Sequence, residues 1–524
     1  MRKCVEFSIV STKNQVKASS RLCHQTGKNF IFVQSNRRLS QSAAMASNKV
    51  LTLDSINPNV KTMEYAVRGP IVIRAVEIEK ELAKGQQKPF KNVIKANIGD
   101  AQAMGQVPVT FIRQVIACVT MPKLLESPDF PDDVKDKART ILRGCGGGSV
   151  GAYSQSTGVD IIRKHVAEFI ERRDGIPCDY ENVLLSGGAS EAIRNVLKLF
   201  ITRDSSKKTG IMVPIPQYPL YSASIEEFNL GKVDYYLDES NKWALDLNEL
   251  ERSYQESKDA FDIKALVIIN PGNPTGQVLP RDNIEGIIKF AQKHNLFIFA
   301  DEVYQENVYA QGSKFFSFKK VLSEMGKPYS NMELASFYSC SKGYMGECGL
   351  RGGYVELLNW DPKVVVEFKK MISAKLCSTI LGQAVMDCIV NHPKSGEPSY
   401  DLWIKEKTAI LDSLKERAQL VTKAYNAING VSVNEVQGAM YAFPRIELPQ
   451  KVIDIAKSQG VEPDFFYVKE LLEETGVCVV PGSGFGQKPG TWHFRTTILP
   501  QSDTFKDMIE RFTRFHENFM KKYA

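Results

Sequence analysis

The chain has 524 residues, 43% of them hydrophobic and 24% charged, which favours two or more domains and an ordinary globular composition. No apolar run reaches the roughly 18 residues that a membrane-spanning helix needs. The net charge is +7, but residues 1–49 carry nine bases and one acid, whereas the remainder carries 58 bases and 59 acids. The body is therefore nearly neutral, which argues against a nucleic-acid-binding surface.

Residues 1–45 hold most of this positive charge and include the segment "NRRLSQSAAM". A basic, serine-rich and acid-poor leader is typical of a mitochondrial presequence, although a disordered basic tail has the same composition. We therefore expect a protein of the mitochondrial matrix. Met45 precedes "ASNKVLTLD", and translation from it would give a cytosolic form without the leader.

The ten cysteines are scattered without a CxxC pair, and the six histidines are isolated. The cysteine pattern favours reduced, packed thiols over a disulfide framework. Because metal sites need clustered ligands, a metal centre has little support.

The first element after the leader is "PIVIRAVEIEKELAKG" (residues 70–85), which predicts a helix opened by proline and closed by glycine. The glycine-containing loop "KANIGDAQAMG" follows it. We interpret residues 46–110 as an N-terminal arm together with part of a small domain.

Residues 111–384 alternate between strand-like and helix-like segments. The apolar runs in "NVLLSGGAS", "GIMVPIPQYPLY", "ALVIINPGNPTG" and "LFIFADEVYQ" each end in a turn or in polar residues. Buried strands that alternate with helices predict a mostly parallel α/β sheet. Residues 385–524 predict a smaller α+β domain, with helices around "VCVVPGSGFG" and "TWHFRTTIL".

Small and polar residues follow these runs, where parallel sheets bind their ligands. In "SGGASEA", Ala189 and Ser190 open a helix, where backbone N–H groups and the helix dipole favour an anion. An ordinary strand–helix turn that needs small residues has the same pattern. "INPGNPTGQV" is more specific, because its prolines fix a rigid loop in which Asn273 offers both a donor and an acceptor.

Asp301 and Tyr304 stand in "FADEVYQ", where an acid ends a very apolar strand. A buried carboxylate is costly without a cation, so Asp301 faces either a structural cation or the ring nitrogen of a cofactor. In "SCSKGYMGECGLR", Lys342 lies among small residues, with Ser339 and Arg351 suited to a phosphate. We expect a lowered pKa for Lys342, which would favour formation of a Schiff base.

A phosphate anchor, an acid for a ring nitrogen and an imine-forming amine together describe pyridoxal 5'-phosphate. The order "SGGAS", "PQYPLY", "NPGNPTG", "ADEVY", "SCSK" and arginine resembles the fold-type I family of pyridoxal-phosphate-dependent aminotransferases over residues 61–520. The segments "YAVRGPI", "ANIGDAQAMG" and "VVPGSGFGQ" resemble the members that act on alanine. The resemblance implies a large cofactor-binding domain at 111–384 with a mostly parallel sheet flanked by helices, and a smaller α+β domain at 385–524.

The resemblance also implies three catalytic residues. Lys342 would form the aldimine with the cofactor and move the proton of the substrate's α-carbon. Asp301 would pair with the ring nitrogen, while Tyr304 and Asn273 would hydrogen-bond the phenolic oxygen. Tyr218 would stack on the face of the ring.

Further residues are implied for the phosphate and the substrate. The phosphate residues are Ala189, Ser190, Ser339 and Arg351. Arg495 would bind the substrate carboxylate, aided by Gly99 and Asn273. Tyr153 would reach the phosphate of a neighbouring subunit, which implies a homodimer with shared sites. Arg351 follows Lys342 by nine positions, against eight in many members, and the extra residue falls within "GYMGECGL".

The implied reaction is the reversible transfer of an amino group between L-alanine and 2-oxoglutarate, by a ping-pong mechanism. A glutamate:glyoxylate aminotransferase and a pyridoxal-phosphate-dependent lyase remain open, since the same aldimine serves all three. A non-catalytic binding module is disfavoured, because it would not need Lys342, Asp301 and Arg495 together. The residues do not indicate which group meets the distal carboxylate of glutamate.

Overall fold

A computed structural model describes residues 49–202 and 206–524. The expected presequence and the second start at Met45 lie outside the described residues. The described chain separates into two units, one ending at Lys61 and the other spanning Thr62–Ala524. The domain boundaries expected after residues 110 and 384 remain a prediction.

The strands include the four apolar runs that the sequence predicted in the large sheet, and further strands that it did not predict. In chain order they are β1 (Val183–Ser186), β2 (Lys208–Ile215), β3 (Gly231–Asp238), β4 (Ala244–Leu245), β5 (Phe261–Ile269), β6 (Phe297–Asp301), β7 (Leu334–Ser339), β8 (Gly353–Leu358), β9 (Val431–Ser432), β10 (Tyr441–Ala442), β11 (Arg445–Ile446), β12 (Val480–Pro481) and β13 (Trp492–Thr497).

The α-helices fill the intervals between strands and both ends of the described chain. They are α1 (Pro58–Thr62), α2 (Pro70–Ala83), α3 (Thr110–Thr120), α4 (Asp132–Gly144), α5 (Asp160–Asp174), α6 (Ala189–Leu197), α7 (Leu220–Glu227), α8 (Leu247–Ser257), α9 (Arg281–Lys293), α10 (Phe318–Glu324), α11 (Pro362–Ser373), α12 (Ile380–Val390), α13 (Tyr400–Asn426), α14 (Gln450–Ser458), α15 (Pro463–Thr475) and α16 (Ser502–Tyr523). Among the described residues, no helix is long and apolar enough to cross a membrane.

The large sheet has the strand order β1-β8-β7-β6-β5-β2-β3-β4. Strands β3, β2, β5, β6 and β7 run parallel, whereas β8 and β4 pair antiparallel with their neighbours. Asp301 at the end of β6 pairs with Ile269 of β5 and Phe337 of β7. The predicted mostly parallel α/β sheet is thus confirmed, and its carboxyl edge gathers the loops that carry the motifs.

Both faces of the central strands β6, β7 and β8 are buried, as expected where helices cover a parallel sheet. Along β5, Ala265 and Val267 pack into one apolar cluster, while Leu266 and Ile268 pack into another. The alternation follows the period of two residues of a strand. The sheet is therefore a fixed frame for the loops at its carboxyl edge.

The second sheet is small and antiparallel, with the order β10-β13-β11-β9 and with β12 also paired to β13. Helices α13, α15 and α16 pack against it and share one apolar cluster with residues of α2. This is the smaller α+β layer that the sequence predicted. It brings Arg495 of β13 beside Tyr441 of β10.

Candidate active site

A cavity of about 240 Å³ lies at the carboxyl edge of the large sheet. Eleven of the twelve residues expected in the site line it, and Tyr153 is the exception. The eleven are Gly99, Ala189, Ser190, Tyr218, Asn273, Asp301, Tyr304, Ser339, Lys342, Arg351 and Arg495. Residues from five separate loops and from both sheets thus converge on one space.

Lys342 lies three residues after β7, on the loop that turns back into β8. Its Nζ donates a hydrogen bond to the carbonyl oxygen of Gly99 at 2.6 Å and lies 6.0 Å from the ring centroid of Tyr304. Burial lowers the pKa of this amine, but the neighbouring Tyr441 phenol and Cys348 thiol outweigh it, and the pKa is raised. The expectation of a lowered pKa is therefore wrong for this structure, because it left out these two neighbours.

Asp301 ends β6 with its carboxylate buried under the cavity. The Tyr221 hydroxyl donates to Oδ2 at 3.1 Å, while Oδ1 has no hydrogen-bond partner among the described residues. Burial raises the pKa of Asp301 to about 6, against the hydrogen bonds from Tyr221 and the backbone of Val303. An unpaired buried carboxylate oxygen is costly, so this atom needs a donor from a bound group.

Arg495 is buried, and its guanidinium lies over the rings of Tyr441 and Phe485, with centroids 4.2 and 4.7 Å from Cζ. Its Nη1 donates to Oδ1 of Asn273 at 3.2 Å, and its Nη2 donates to the carbonyl of Asn97 at 2.5 Å. Its Nε has no partner among the described residues. Such a fork, fixed on one side and unsatisfied on another, is suited to a carboxylate.

Another part of the cavity wall is built from the N-terminus of α6, the end of β7 and Arg351. Nη2 of Arg351 donates to the carbonyl of Gly187 at 2.9 Å. Gly188 has a φ of 88°, and a Cβ on it would lie 2.6 Å from Nη2 of Arg351. A Cβ on Gly353 would lie 2.9 Å from the backbone nitrogen of Ala189. Bare backbone, a helix N-terminus and a guanidinium together form a cradle for an anion.

Tyr304 and Tyr218 supply aromatic walls. Tyr304 packs edge-on against Tyr441, with ring centroids 6.1 Å apart at 83°. The hydroxyls of Tyr218 and Tyr65 lie 2.9 Å apart, and their rings meet at 68°. The stacking of Tyr218 on a cofactor ring remains a prediction.

A scan against family models matches residues 125–512 to "Aminotransferase class I and II". The chain belongs to the class I and II aminotransferase family. Alanine aminotransferase 2 of Xenopus laevis is 56% identical over 490 residues, covering 93% of this chain and 90% of that protein. Alanine aminotransferase 1 of Homo sapiens is 55% identical over 478 residues, covering 91% of this chain and 96% of that protein. A probable mitochondrial alanine aminotransferase of Dictyostelium discoideum is 47% identical and covers 91% of each chain.

Solved aminotransferases share the fold. An aminotransferase from Escherichia coli superposes with a TM-score of 0.69 at 23% identity, covering 89% of this chain and 98% of that one. Alanine aminotransferase from Pyrococcus furiosus superposes with a TM-score of 0.69 at 24% identity, covering 88% of this chain and 100% of that one. Fold-type I, inferred from the motifs, is confirmed by these likenesses.

The aminotransferase family implies pyridoxal phosphate, and the residues at this site fit that group. The cradle at Gly188 and Gly353 suits a phosphate, and the unpaired Oδ1 of Asp301 suits a protonated ring nitrogen. Lys342 reaches the same cavity with a primary amine. The fit of Asp301 rests on its unsatisfied oxygen, and the fit of the phosphate rests on bare backbone packed beside Arg351.

Tyr153 does not line the cavity of this aminotransferase. It lies on the loop between α4 and α5, and its side chain is 74% exposed. The expectation that it serves a neighbouring subunit requires such exposure in a single chain, but the contact itself remains a prediction.

Sequence reasoning missed several cavity residues. They include Tyr65, Arg68, Asp100, Cys348 and Tyr441. Tyr65 and Arg68 stand in "YAVRG", which resembles the same segment of family members that act on alanine. That resemblance could have marked them as site residues. Tyr441 follows "QGAM" far from every other motif, and no local pattern marks it as a site residue.

Proposed function

We propose that this chain is a pyridoxal-phosphate-dependent alanine aminotransferase, which converts L-alanine and 2-oxoglutarate into pyruvate and L-glutamate and back. The observation that carries the proposal is that one cavity holds the Lys342 amine, an oxygen of Asp301 and Nε of Arg495, and that the last two have no hydrogen-bond partner in the described part of the chain. Relatives about 55% identical over nearly the whole chain bear the name alanine aminotransferase, which supports the choice of substrates.

The cofactor would be held from four sides. Lys342 would be its covalent anchor, Asp301 would accept a hydrogen bond from the protonated ring nitrogen, and Tyr304 and Asn273 would hydrogen-bond its phenolic oxygen. The phosphate would contact Ala189, Ser190, Ser339 and Arg351, which surround the cradle described above. When bound, pyridoxal phosphate withdraws electrons from the substrate's α-carbon.

The protein's own part in the reaction is to bind, orient and move a proton. Arg495 would bind the substrate's α-carboxylate through its open Nε edge, because Asn273 and the carbonyl of Asn97 already fix the other side. Lys342 would take the proton from the α-carbon and return it, since its amine is the basic group that this cavity offers at that point. A ping-pong order follows, because one cavity serves both substrates in turn.

The distal carboxylate of glutamate needs a cation that alanine does not use. Arg68 lines the same cavity as Arg495 and Arg351, but it is exposed at the rim. We assign the distal carboxylate to Arg68, because the other two guanidiniums have the roles already named. An exposed rim position would let the cation meet a long substrate without closing the site to a short one.

A glutamate:glyoxylate aminotransferase and a lyase use the same groups, so substrate tests must separate them. The purified protein is assayed with a panel of amino donors against 2-oxoglutarate and glyoxylate, and for release of ammonia. We expect the highest kcat/KM for alanine with 2-oxoglutarate. A higher kcat/KM with glyoxylate, or ammonia release faster than transfer, would overturn the proposal.

The assembly and location are proposals of the same kind. We propose a homodimer with shared sites, supported by the exposed position of Tyr153, and a mitochondrial matrix location directed by residues 1 to about 40. The location is supported by the basic leader and by the mitochondrial name of the Dictyostelium relative. A reporter fused to residues 1–40 should enter mitochondria, whereas a purely cytosolic reporter would contradict the location.

A further inference from the structure

The Tyr441 side chain lines the cavity together with the residues proposed to hold the cofactor and the substrate. It is only 3% exposed, and it stands on β10, opposite Thr497 of β13. That pairing places it close to Arg495, two residues earlier on β13. A buried phenol in the wall of a polar cavity needs a partner for its hydroxyl.

The ring of Tyr441 is held from two directions. The guanidinium of Arg495 lies over its face, and Tyr304 packs edge-on against it. Cation–π and edge-to-face contacts both fix the plane of a ring. The orientation of the Tyr441 hydroxyl is therefore fixed by the packing of its ring.

That direction leads to Gly99 and Lys342. A Cβ added to Gly99 would overlap the Tyr441 hydroxyl and would lie 2.9 Å from Nζ of Lys342. The phenol and the amine therefore both border the position that a Cβ on Gly99 would take, beside the carbonyl that already accepts from Nζ at 2.6 Å. The glycine at position 99 leaves the space in which they meet.

We propose that the Tyr441 hydroxyl and the Gly99 carbonyl together hold the amine of Lys342 whenever that amine is not bonded to the cofactor. The proposal rests on the proposed function, in which Lys342 alternates between anchor and base. Tyr441 is then a positioning residue, because it acts on the reaction through Lys342.

The amine needs such a holder because the lysine stem is long and flexible. A base must lie within hydrogen-bond reach of the proton that it takes, and small displacements slow proton transfer. Two fixed acceptors confine Nζ to one side of the cavity. The carbonyl alone leaves the amine free to turn about a single hydrogen bond.

The charges around Nζ also indicate that Tyr441 acts on the amine of Lys342. Burial and the Arg495 guanidinium lower the pKa of Lys342, whereas Tyr441 and Cys348 raise it. Burial raises the pKa of Tyr441 in turn, but the cations of Lys342 and Arg495 outweigh it and the pKa is lowered. The other titratable or charged groups of the cavity wall are Tyr65, Arg68, Asp100, Tyr218, Asp301, Tyr304 and Arg351. Removal of the Tyr441 hydroxyl takes away one of the two groups that raise the pKa of Lys342. Burial and Arg495 still lower that pKa, so it should fall.

The test uses Tyr441→Phe, which keeps the ring under Arg495 and removes only the hydroxyl. The full-length chain is stripped of cofactor and labelled with acetic anhydride across a pH range, and the Lys342 peptide is quantified by mass spectrometry. We expect the apparent pKa of Lys342 to fall by about one unit, the size of an ordinary environmental shift. The control is Tyr354→Phe, whose buried hydroxyl has no partner among the described residues and lies outside the cavity.

An unchanged pKa in Tyr441→Phe overturns the proposal, and so does a fall that Tyr354→Phe reproduces. A fall in Cys348→Ala but not in Tyr441→Phe also overturns it, because the thiol would then hold the amine. A thermal unfolding curve checks that each variant is folded. Labelling needs neither alanine nor cofactor, so a failed substrate assay would overturn the proposed function and leave this result standing.

A second readout applies to the holoenzyme. The rate of a single half-reaction with alanine is followed against pH in both variants. We expect the acid limb for Tyr441→Phe to move to lower pH with a reduced maximal rate, while the KM for alanine changes little. A change in KM alone would mean that Tyr441 contacts the substrate and does not position Lys342.

Discussion

The Tyr221 hydroxyl holds one oxygen of the Asp301 carboxylate at 3.1 Å, and the second oxygen of that carboxylate is buried without a partner among the described residues. One side of the acid is thus fixed by the protein, and the other is open toward the cavity. This asymmetry is what a carboxylate needs if it is to accept a hydrogen bond from a bound ring nitrogen.

Asp301→Asn should lower kcat by several orders of magnitude. The amide cannot hold the ring proton that the reaction needs, so the barrier should rise by about 4 kcal/mol or more, at ~1.4 kcal/mol for each factor of ten. Steady-state kinetics with alanine and 2-oxoglutarate provide the measurement. A loss of less than about tenfold would mean that Asp301 is structural.

The same variant should stabilise the cofactor-free protein, and more so at higher pH. The pKa of Asp301 is raised to about 6 from its ordinary 3.8, so the folded state binds this proton more tightly than the unfolded state. Wild-type stability is therefore lost as pH rises from about 4 to 6, by at most about 3 kcal/mol. Melting temperatures of the two apo-proteins should differ more at pH 7.5 than at pH 5. A difference independent of pH would contradict the buried charge.

Gly99→Ala should cost activity without unfolding the chain. The new Cβ would overlap the Tyr441 hydroxyl and crowd Lys342, and a displacement of about 1 Å in a site can cost about 100-fold. Gly349→Ala is the matched control, since a Cβ at Gly349 meets nothing within 4 Å and this residue has no positive φ. Equal kcat/KM in the two variants would mean that the space at Gly99 is not used.

Arg495→Lys and Arg68→Gln should separate the two carboxylates. Lysine keeps the charge of Arg495 but loses its planar fork, so the KM should rise for alanine and 2-oxoglutarate together. Arg68→Gln should raise the KM for 2-oxoglutarate and glutamate by up to about fivefold, the worth of one exposed ion pair, and leave alanine unaffected. If Arg495→Lys affects the dicarboxylates alone, Arg495 binds the distal carboxylate.

Mixed dimers test the shared site. Lys342→Ala and Tyr153→Phe chains should each be impaired, while a heterodimer should have one site with both defects and one with neither. Activity should therefore return in the mixture, as measured on heterodimers purified with two different tags. Demonstrated heterodimers that stay as inactive as their parents would place both residues in the same chain's site.

Local patterns predicted the framework of this molecule well. Apolar runs such as "ALVIIN" and "LFIFAD" became β5 and β6, and the helix expected from Pro70 spans Pro70–Ala83. Short-range signals suffice here because strand periodicity, proline at a helix start and glycine at its end are local effects. The residues just after these strands line the cavity, because a parallel sheet binds its ligands at the carboxyl ends of its strands.

The parts that the sequence did not reveal depend on contacts between distant segments. Lys342 and Gly99 are 243 residues apart in the chain, and the Tyr221–Asp301 hydrogen bond spans 80. Tyr441 enters the site through the pairing of β10 with β13, which no local pattern specifies. Because a pKa depends on such neighbours, the raised pKa of Lys342 was beyond sequence reasoning.

The central claim is that Lys342 is the residue that anchors the cofactor. Borohydride reduction of the purified holoenzyme, followed by peptide mass spectrometry, tests it most directly. We predict a reduced pyridoxyl phosphate adduct on Lys342, and no adduct there in Lys342→Ala. Recovery of the adduct on another lysine of the wild-type protein would contradict the account.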